Sequence, residues 1–305
     1  MNGTILSGSR NIFTVRCDEG NNIAGDIECR IKGKILKGAD DLYNPLAPGD
    51  RVSVENGMIT ALEERKNVFS RFNQKGGAPQ LLAANVDLVL CLTTRVSPPF
   101  RPRFLDRVLL QADIAGIPAL VICNKIDLDD DDLDTDERLE DFKRVGYEVI
   151  EISAKTGKGL DELRRRIAGK RSVLVGQSGV GKSSLINALL PHMNIKTGTI
   201  NEKYDRGNHT TTLASVVELN ADTWLIDTPG IRRFVPVGMG ADELALNMRE
   251  FAPLAGKCTF GLSCSHRTEP GCKIMEAVSA GVIHEDRYIS FLRIHDELAG
   301  KNHAD

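Results

Sequence analysis

The chain has 305 residues, of which 41% are hydrophobic and 5% aromatic, and its formal net charge is −3. This length accommodates two or three domains, and the charge excludes a protein coated in basic side chains but not a local basic site. We expect neither a signal peptide nor a membrane-spanning helix, because no apolar run is long enough for either. The seven cysteines fit a cytoplasmic protein better than a disulfide framework.

Residues 1–66 alternate short β-rich runs with turn residues. The runs fall at residues 4–6, 12–16, 23–30, 51–55 and 58–62, and Gly, Asn, Asp and Pro separate them. Asn56-Gly57, between the last two runs, is a typical hairpin turn. Five short strands within this length predict a small β-barrel of the OB-fold type.

The third run leads into a basic stretch, which carries four positive charges between Arg30 and Lys37. One interpretation is an edge of the barrel that faces RNA. The other is a solvated edge strand whose charges prevent aggregation. The residues alone leave both interpretations open.

Beyond the barrel, residues 67–85 are predicted to be a linker by their composition, which includes the run Lys75-Gly-Gly-Ala-Pro79. Strand and helix patterns then alternate, which predicts a mainly parallel sheet covered by helices on both faces. The predicted strands are at 86–92, 118–123, 147–152, 172–175, 213–219 and 223–226, and the helices at 103–115, 135–145, 160–168 and 184–190. A long irregular segment spans 191–212, and helical periodicity resumes near residue 236.

The stretch from Gly176 to Ser183 fits G-x-x-x-x-G-K-[ST], the phosphate-binding loop, between a predicted strand and a predicted helix. Glycines let the backbone wrap an anion, and the N–H groups at the helix start point towards phosphate. Lys182 is expected to reach the β- and γ-phosphates and Ser183 to ligate Mg²⁺. The residues predicted to contact the nucleotide here are Gly176, Gln177, Ser178, Gly179, Val180, Gly181, Lys182, Ser183 and Ser184.

Two further motifs predict that the base is guanine. Asn124-Lys125-Ile126-Asp127 follows a buried strand, and the Asp127 carboxylate can accept hydrogen bonds from guanine N1–H and its amine. Adenine would leave this carboxylate unpaired, at a cost that discriminates strongly. The next strand ends at Ser153-Ala154-Lys155, where the Ala154 N–H could bond guanine O6. The alternative for the first motif is a strand-end turn with a helix cap.

Asp227-Thr-Pro-Gly230 ends a later strand. Asp227 would hold Mg²⁺ and the Gly230 N–H would sense the γ-phosphate, while Thr211 would supply a second hydroxyl to the metal. Ras-like enzymes position the attacking water with a Gln after this motif, but Ile231 stands there. We therefore assign catalysis to His209, together with Lys182 and Thr211. The alternative for His209 is a loop residue that contacts RNA phosphate or solvent.

A late cluster, Cys258-x₅-Cys264-x-His266-x₅-Cys272, provides three thiolates and one imidazole. Four such ligands make a closed tetrahedral set, which predicts one structural Zn²⁺ and no catalytic role. The alternative is a set of scattered cysteines with a surface histidine.

The guanine motifs precede the phosphate loop, which is the reverse of the usual GTPase order and indicates circular permutation. The chain resembles the family of ribosome small-subunit-dependent GTPase A, which has an N-terminal OB-fold, a permuted GTPase domain and a C-terminal zinc domain. The resemblance is carried by residues 84–87, 124–128, 176–187, 207–212, 227–230 and the Cys/His cluster. It departs from the family at Asn208, where Arg is usual, and by one additional residue between the first two zinc ligands.

The resemblance implies a GTP hydrolase stimulated by the small ribosomal subunit and acting late in that subunit's maturation. It also points to His209 and implies contact with ribosomal RNA, Mg²⁺ with GTP, and a cytoplasmic monomer. We expect an RNA-binding barrel at 1–66, the GTPase domain at 67–235 and a mainly helical zinc domain at 236–305. Residues 231–234 lead directly into that last domain and could act as a short lever. The competing hypotheses are a nucleotide-gated scaffold with negligible hydrolysis and a P-loop kinase or ATPase.

Overall fold

A computed structural model describes residues 1–9, 11–18, 25–32, 42–128, 133–190 and 214–300. The strands are β1 (Asn2–Ser9), β2 (Ile12–Cys17), β3 (Asp26–Ile31), β4 (Arg51–Glu55), β5 (Met58–Leu62), β6 (Val68–Asn73), β7 (Ala78–Ala84), β8 (Leu88–Thr94), β9 (Ala119–Asn124), β10 (Glu148–Glu151), β11 (Arg171–Gly176), β12 (Ser215–Asn220) and β13 (Thr223–Asp227). The helices are α1 (Pro102–Ile114), α2 (Leu133–Arg144), α3 (Leu160–Ile167), α4 (Lys182–Leu189), α5 (Leu244–Asn247), α6 (Lys273–Ser279) and α7 (Glu285–Leu298), with a 3₁₀ turn at Gly261–Ser263. In this part of the chain, no helix has the length and apolar character needed to cross a bilayer.

The first five strands form the predicted barrel. They pair in the order β1-β2-β3-β5-β4, and β4 returns to β1, which closes the sheet. Alternate residues point inwards and are buried, among them Val15, Val52 and Ile59. Asn56 and Gly57 both have positive φ in the turn between β4 and β5, as a tight hairpin requires. The prediction of an OB-type barrel is confirmed.

The basic strand is not an edge strand where the structure describes it. Cys29 pairs with Phe13 of β2 on one side, and Arg30 pairs with Met58 of β5 on the other. The prediction of an edge is therefore wrong for these residues, because closure of the barrel gives β3 a neighbour on both sides. Residues 33–37 lie outside the described part of the chain.

The prediction of a linker at 67–85 is also wrong. Strands β6 and β7 form an antiparallel hairpin, and Phe69 is fully buried in the main core. The glycine-rich stretch is only the turn, in which Asn73 Oδ1 accepts the N–H groups of Lys75 and Gly76, each at 3.1 Å. Beyond β7, the Asn85 side-chain amide donates to a barrel carbonyl, that of Gly49, at 2.9 Å.

The central sheet runs β10-β9-β8-β11-β13 in parallel, and β12 joins β13 antiparallel. Helices α1 and α2 cover one face through residues such as Leu105 and Phe142. Helices α3 and α4 cover the other through residues such as Leu163 and Leu185. This confirms the predicted α/β layers and places the carboxyl ends of five parallel strands at one edge, where α/β proteins bind ligands.

The barrel and the central sheet are continuous. Strand β12 also pairs with β1, with Ser215 opposite Ser7, so the strands make one 11-stranded sheet. Arg16 of the barrel forms an ion pair with Glu218 of β12 beside this junction.

The C-terminal helices pack on α1 around a buried ionic cluster. Arg287 of α7 is 1% exposed and donates to Asp106 of α1 at 2.7 Å and to Glu250 at 2.9 Å. Arg138 of α2 approaches the same Asp106 oxygen at 3.4 Å. The cluster therefore joins three elements through charges that are withdrawn from water.

We expect Arg287→Ala to lower the free energy of unfolding by about 3–5 kcal/mol, because it removes the ion-pair partner of the buried Glu250 and leaves Asp106 with only the longer contact to Arg138. Arg293→Ala is the matched control, since Arg293 is exposed on the same helix, and it should cost less than about 0.5 kcal/mol. Urea unfolding followed by circular dichroism measures both. Equal midpoints for the two variants would contradict the role of the cluster.

Candidate nucleotide site and metal centre

The phosphate loop lies between β11 and α4, as predicted. Gly179 and Gly181 have φ of +86° and +95°, a conformation that favours glycine. Lys182 Nζ donates to the carbonyl oxygens of Gly176 at 2.9 Å and Gln177 at 3.2 Å. Burial lowers the pKa of Lys182, and the Asp227 carboxylate opposes that shift. The loop thus has a cation placed inside its curve, with backbone carbonyls that phosphate oxygens could replace.

Asn124 connects the base motif to the phosphate loop. Its side-chain amide donates to the Val180 carbonyl at 2.9 Å, and its Oδ1 accepts the Ala154 N–H at 3.0 Å. A Cβ on Gly181 would lie 2.5 Å from Asn124 Nδ2, so only glycine leaves room for this contact. The Ala154 N–H, which we expected to face guanine O6, is held by Asn124 here, so a purine oxygen would have to share this donor.

Asp127 is positioned by the following strand end. Its Oδ1 accepts the Ser153 hydroxyl at 2.6 Å, and Lys155 Nζ lies 3.8 Å from Oδ2. The Ser153 hydrogen bond holds the pKa of Asp127 below its ordinary value, so the carboxylate is ionised at neutral pH. Ile126 contributes a backbone N–H to the Ile152 carbonyl at 3.2 Å. The four-residue turn is therefore held to the segment after β10 by one backbone hydrogen bond and by its carboxylate.

Lys125 has a role that sequence reasoning did not specify. It has φ of +65°, and its Nζ donates to the Gly179 carbonyl at 2.7 Å and to the Ser97 carbonyl. The loop after β8, to which Ser97 belongs, was assigned no function from sequence. Its position after a buried parallel strand is the signal that could have included it.

Asp227 ends β13 inside the site. Its Oδ1 is buried and has no hydrogen-bond partner among the described residues. Burial raises the pKa of Asp227 to about 6, against the opposing effect of Lys182, so the carboxyl group is half protonated near that pH. An unsatisfied buried carboxylate oxygen fits a cation such as Mg²⁺, and Ser183 is exposed at the start of α4.

Gly230 lies against the phosphate loop, since a Cβ there would be 3.4 Å from the Ser178 nitrogen. The next residue, Ile231, is 6% exposed and belongs to the main core. Ile231 is therefore a packing residue and cannot orient water. The other predicted residues of this region, Asn208, His209 and Thr211, lie outside the described residues, and their roles remain predictions.

The Cys/His cluster is assembled. Cys258, Cys264, His266 and Cys272 are buried, and their ligand atoms lie within 4.8 Å of one another. Cys258 Sγ is 3.8 Å from Cys272 Sγ and 3.6 Å from His266 Nδ1. Tetrahedral ligands of zinc at the usual bond lengths are separated by roughly 3.5–3.8 Å, so these residues fit Zn²⁺.

Neighbouring groups support the cluster. The Lys273 N–H donates to Cys258 Sγ at 3.3 Å, and the Tyr288 hydroxyl donates to the His266 carbonyl at 2.7 Å. The longer interval between the first two cysteines contains the 3₁₀ turn Gly261–Ser263. That turn accommodates the additional residue without separating the ligands.

Comparisons with known proteins agree with this architecture. A family model described as RsgA GTPase matches residues 62–235, more than half of the chain. Small ribosomal subunit biogenesis GTPase RsgA 2 of Bacteroides thetaiotaomicron is 35% identical over 100% of this chain and 99% of its own length. Small ribosomal subunit biogenesis GTPase RsgA of Flavobacterium johnsoniae is 38% identical over 96% of this chain and 92% of its own.

Two solved structures share the whole fold. YjeQ from Thermotoga maritima has 30% sequence identity and a TM-score of 0.73, with 99% of both chains covered. YloQ, described as a circularly permuted GTPase, has 25% identity and a TM-score of 0.69, over 100% of this chain and 96% of its own. Both the order of the motifs and the extent of these matches lead to one conclusion. The chain belongs to the RsgA GTPase family of circularly permuted GTP-hydrolysing enzymes.

Proposed function

We propose that this chain hydrolyses GTP on the small ribosomal subunit, is stimulated by that subunit, and acts late in its maturation. Its relatives are named small ribosomal subunit biogenesis GTPases. The observation that carries the GTP assignment is the contact of Asn124 with Val180 and Ala154, which brings the base motif and the phosphate loop into one site.

In this proposal, separate residues bind the base, the phosphates and the metal ion. The ionised Asp127 accepts from guanine N1–H and the exocyclic amine, and Ser153 holds it in place. Lys182 and the N–H groups of the phosphate loop bind the phosphates, while Gly230 senses the γ-phosphate. Asp227, Ser183 and Thr211 hold Mg²⁺, which supplies neutralisation of the phosphate charge.

The metal centre has a structural task. Cys258, Cys264, His266 and Cys272 hold one Zn²⁺ and leave no open position for substrate. We propose functional units at 1–66 for RNA binding, 67–235 for GTP hydrolysis and 236–305 for the zinc domain. We also propose that the protein works as a monomer in the cytoplasm.

Multiple-turnover GTP hydrolysis with and without purified small subunits tests the proposal, together with co-sedimentation in GDP and in a non-hydrolysable GTP analogue. We expect strong stimulation and tighter sedimentation with the analogue. A scaffold would sediment without stimulated turnover. An ATPase would prefer adenine nucleotides in a competition assay.

Asp127→Asn tests the base assignment. We expect GTP affinity to fall by about a hundredfold, since the new amide places a donor against guanine donors. Affinity for xanthosine triphosphate should rise, because its C2 oxygen accepts from that amide. Calorimetric titration of both nucleotides measures the change. Asp222→Asn, at an exposed turn, is the control, and an unchanged GTP affinity in Asp127→Asn would refute the assignment.

Cys264→Ser tests the metal centre. The native protein should carry about one zinc per chain, and this variant should lose it, because a closed site needs all four ligands. Helical signal from the C-terminal region should fall, while nucleotide affinity should stay. Elemental analysis and circular dichroism provide the measurements. Cys17→Ser is the control in the barrel, and full zinc content in Cys264→Ser would show that the ligand set is wrong.

His209→Ala tests the catalytic assignment. We expect nucleotide affinity and subunit binding to persist, with the stimulated turnover falling by about a hundredfold, since an oriented group near the attacking water is lost. Lys182→Ala should instead weaken nucleotide binding itself. Steady-state kinetics with small subunits separates the two variants. Full stimulated turnover in His209→Ala would leave the histidine without a catalytic role.

A further inference from the structure

A second cavity lies beside the phosphate loop, between the start of α1 and the segment that follows Gly230. Its volume is about 420 Å³, and Gln177 of the phosphate loop forms part of its wall. Five arginines line it, and Asp286 is the one acidic residue in its lining. These are Arg101, Arg103, Arg107, Arg232 and Arg233. We call this cavity the arginine cavity.

The positive charge of the arginine cavity is only partly neutralised. Arg107 and Arg233 share the Glu297 carboxylate, with Arg233 at 2.7 Å. Arg103 has a weak partner, since its Nη2 lies 3.7 Å from Asp286 and its Nε is buried without a hydrogen bond.

Two of the five arginines have no ion-pair partner among the described residues. Arg101 and Arg232 are exposed, and no ion pair joins either to another residue in the described part of the chain. Within the described part of the chain, the arginine cavity therefore keeps two guanidinium groups without an ion pair, on a chain whose net charge is −3.

The helix that borders the arginine cavity adds to its field. Helix α1 begins there without a side-chain cap and without an acidic residue in its first turn. The start of a helix carries partial positive charge that favours anions, while Pro102 at the first position of α1 supplies no N–H. Phe100, half-buried in the same wall, offers an aromatic face beside these charges.

We propose that the arginine cavity binds phosphate groups of an RNA backbone, with Arg101 and Arg232 as the contacts from its two walls. Guanidinium forks match phosphate oxygens in pairs, and an aromatic face accepts a stacked base. The choice of RNA rests on the proposed function, because a ribosomal subunit presents RNA phosphates. This site is separate from the nucleotide site, although Gln177 belongs to both walls.

Arg232 lies close in sequence to the residue predicted to sense the γ-phosphate. Arg232 follows two residues after Gly230, which lies against Ser178 of the phosphate loop. The buried Ile231 and Phe234 fix the chain on either side of the arginine pair. A phosphate held by Arg232 therefore acts on the same short segment as the γ-phosphate.

The test compares Arg101→Glu with a matched control, Arg165→Glu. Arg165 is exposed on α3, on the opposite face of the sheet, and is likewise without an ion pair among the described residues. A glutamate at the start of α1 favours the helix dipole, so Arg101→Glu should keep the fold. Arg232→Glu repeats the test from the other wall. The probes are labelled oligouridylate, measured by anisotropy over a salt series, and purified small subunits, measured by co-sedimentation with a GTP analogue.

We expect Arg101→Glu and Arg232→Glu each to weaken oligouridylate binding by about tenfold, and to reduce the slope of log K against log salt by about 0.7. Sedimentation with subunits should weaken in parallel, and Arg165→Glu should match the native protein. If Arg101→Glu and Arg232→Glu behave like Arg165→Glu with both probes, the proposal is overturned.

Competitors identify the source of the anion. If inorganic phosphate at constant ionic strength removes the difference between Arg101→Glu and the native protein, the cavity takes a free ion and the RNA assignment fails. If polyglutamate competes as strongly as unlabelled oligouridylate does, the RNA assignment also fails. Binding of oligouridylate that depends on Arg101, without sedimentation on subunits, would refute the proposed function and leave the arginine cavity standing. If the native protein binds neither oligouridylate nor small subunits, both the proposed function and the RNA assignment of the arginine cavity are refuted.

Discussion

The nucleotide site depends on one buried side chain. Asn124 is 1% exposed and makes one hydrogen bond to the phosphate loop and one to the strand end after β10. The Asn124 side chain is withdrawn from water, so breaking either bond would leave one of its polar atoms buried and unpaired. Gly181 is required for the same reason, because any side chain there would occupy the place of the Asn124 amide. One side chain, Asn124, thus fixes the position of the base motif relative to the phosphate loop.

Circular permutation leaves the Asn124 contacts unchanged. These contacts depend on which strands are neighbours in the sheet, and not on the order of the strands along the chain. The motifs follow β9, β10, β11 and β13, whose carboxyl ends share one edge with that of β8. Permutation instead changes which segments follow the strands of the GTPase domain. The segment after Gly230 now runs past α1, where Arg107 donates to the Phe234 carbonyl and the Phe72 N–H donates to the Val235 carbonyl at 2.9 Å. The segment that includes residues 231–234, which we expected to act as a lever, therefore packs between the β6–β7 hairpin and α1.

Much of the fold could be predicted from sequence because local patterns and global packing agree. Periodicity located the strands of the central sheet, and motif chemistry located the residues at their ends. The hairpin of β6 and β7 was missed because the glycines at 76 and 77 were given more weight than the apolar residues on either side, which pair and bury Phe69. The status of β3 was missed because barrel closure is a long-range property that one strand does not reveal. The contact of Lys125 with Gly179 depends on a positive φ that composition does not encode.

The continuous sheet has a mechanical consequence. The barrel is attached to the GTPase unit at β12, through Ser7 opposite Ser215 and the Arg16–Glu218 ion pair, and again beyond β7, where Asn85 holds Gly49. Further hydrogen bonds run along β7, between Asn44 and the Leu81 backbone and from the Ala84 N–H to the Pro48 carbonyl. The barrel is therefore held along a line of contacts and not at a single point. One of these attachments, β12, is also hydrogen-bonded to β13, the strand that carries Asp227. A displacement of β13 would therefore be transmitted to the barrel through paired strands and not through a linker.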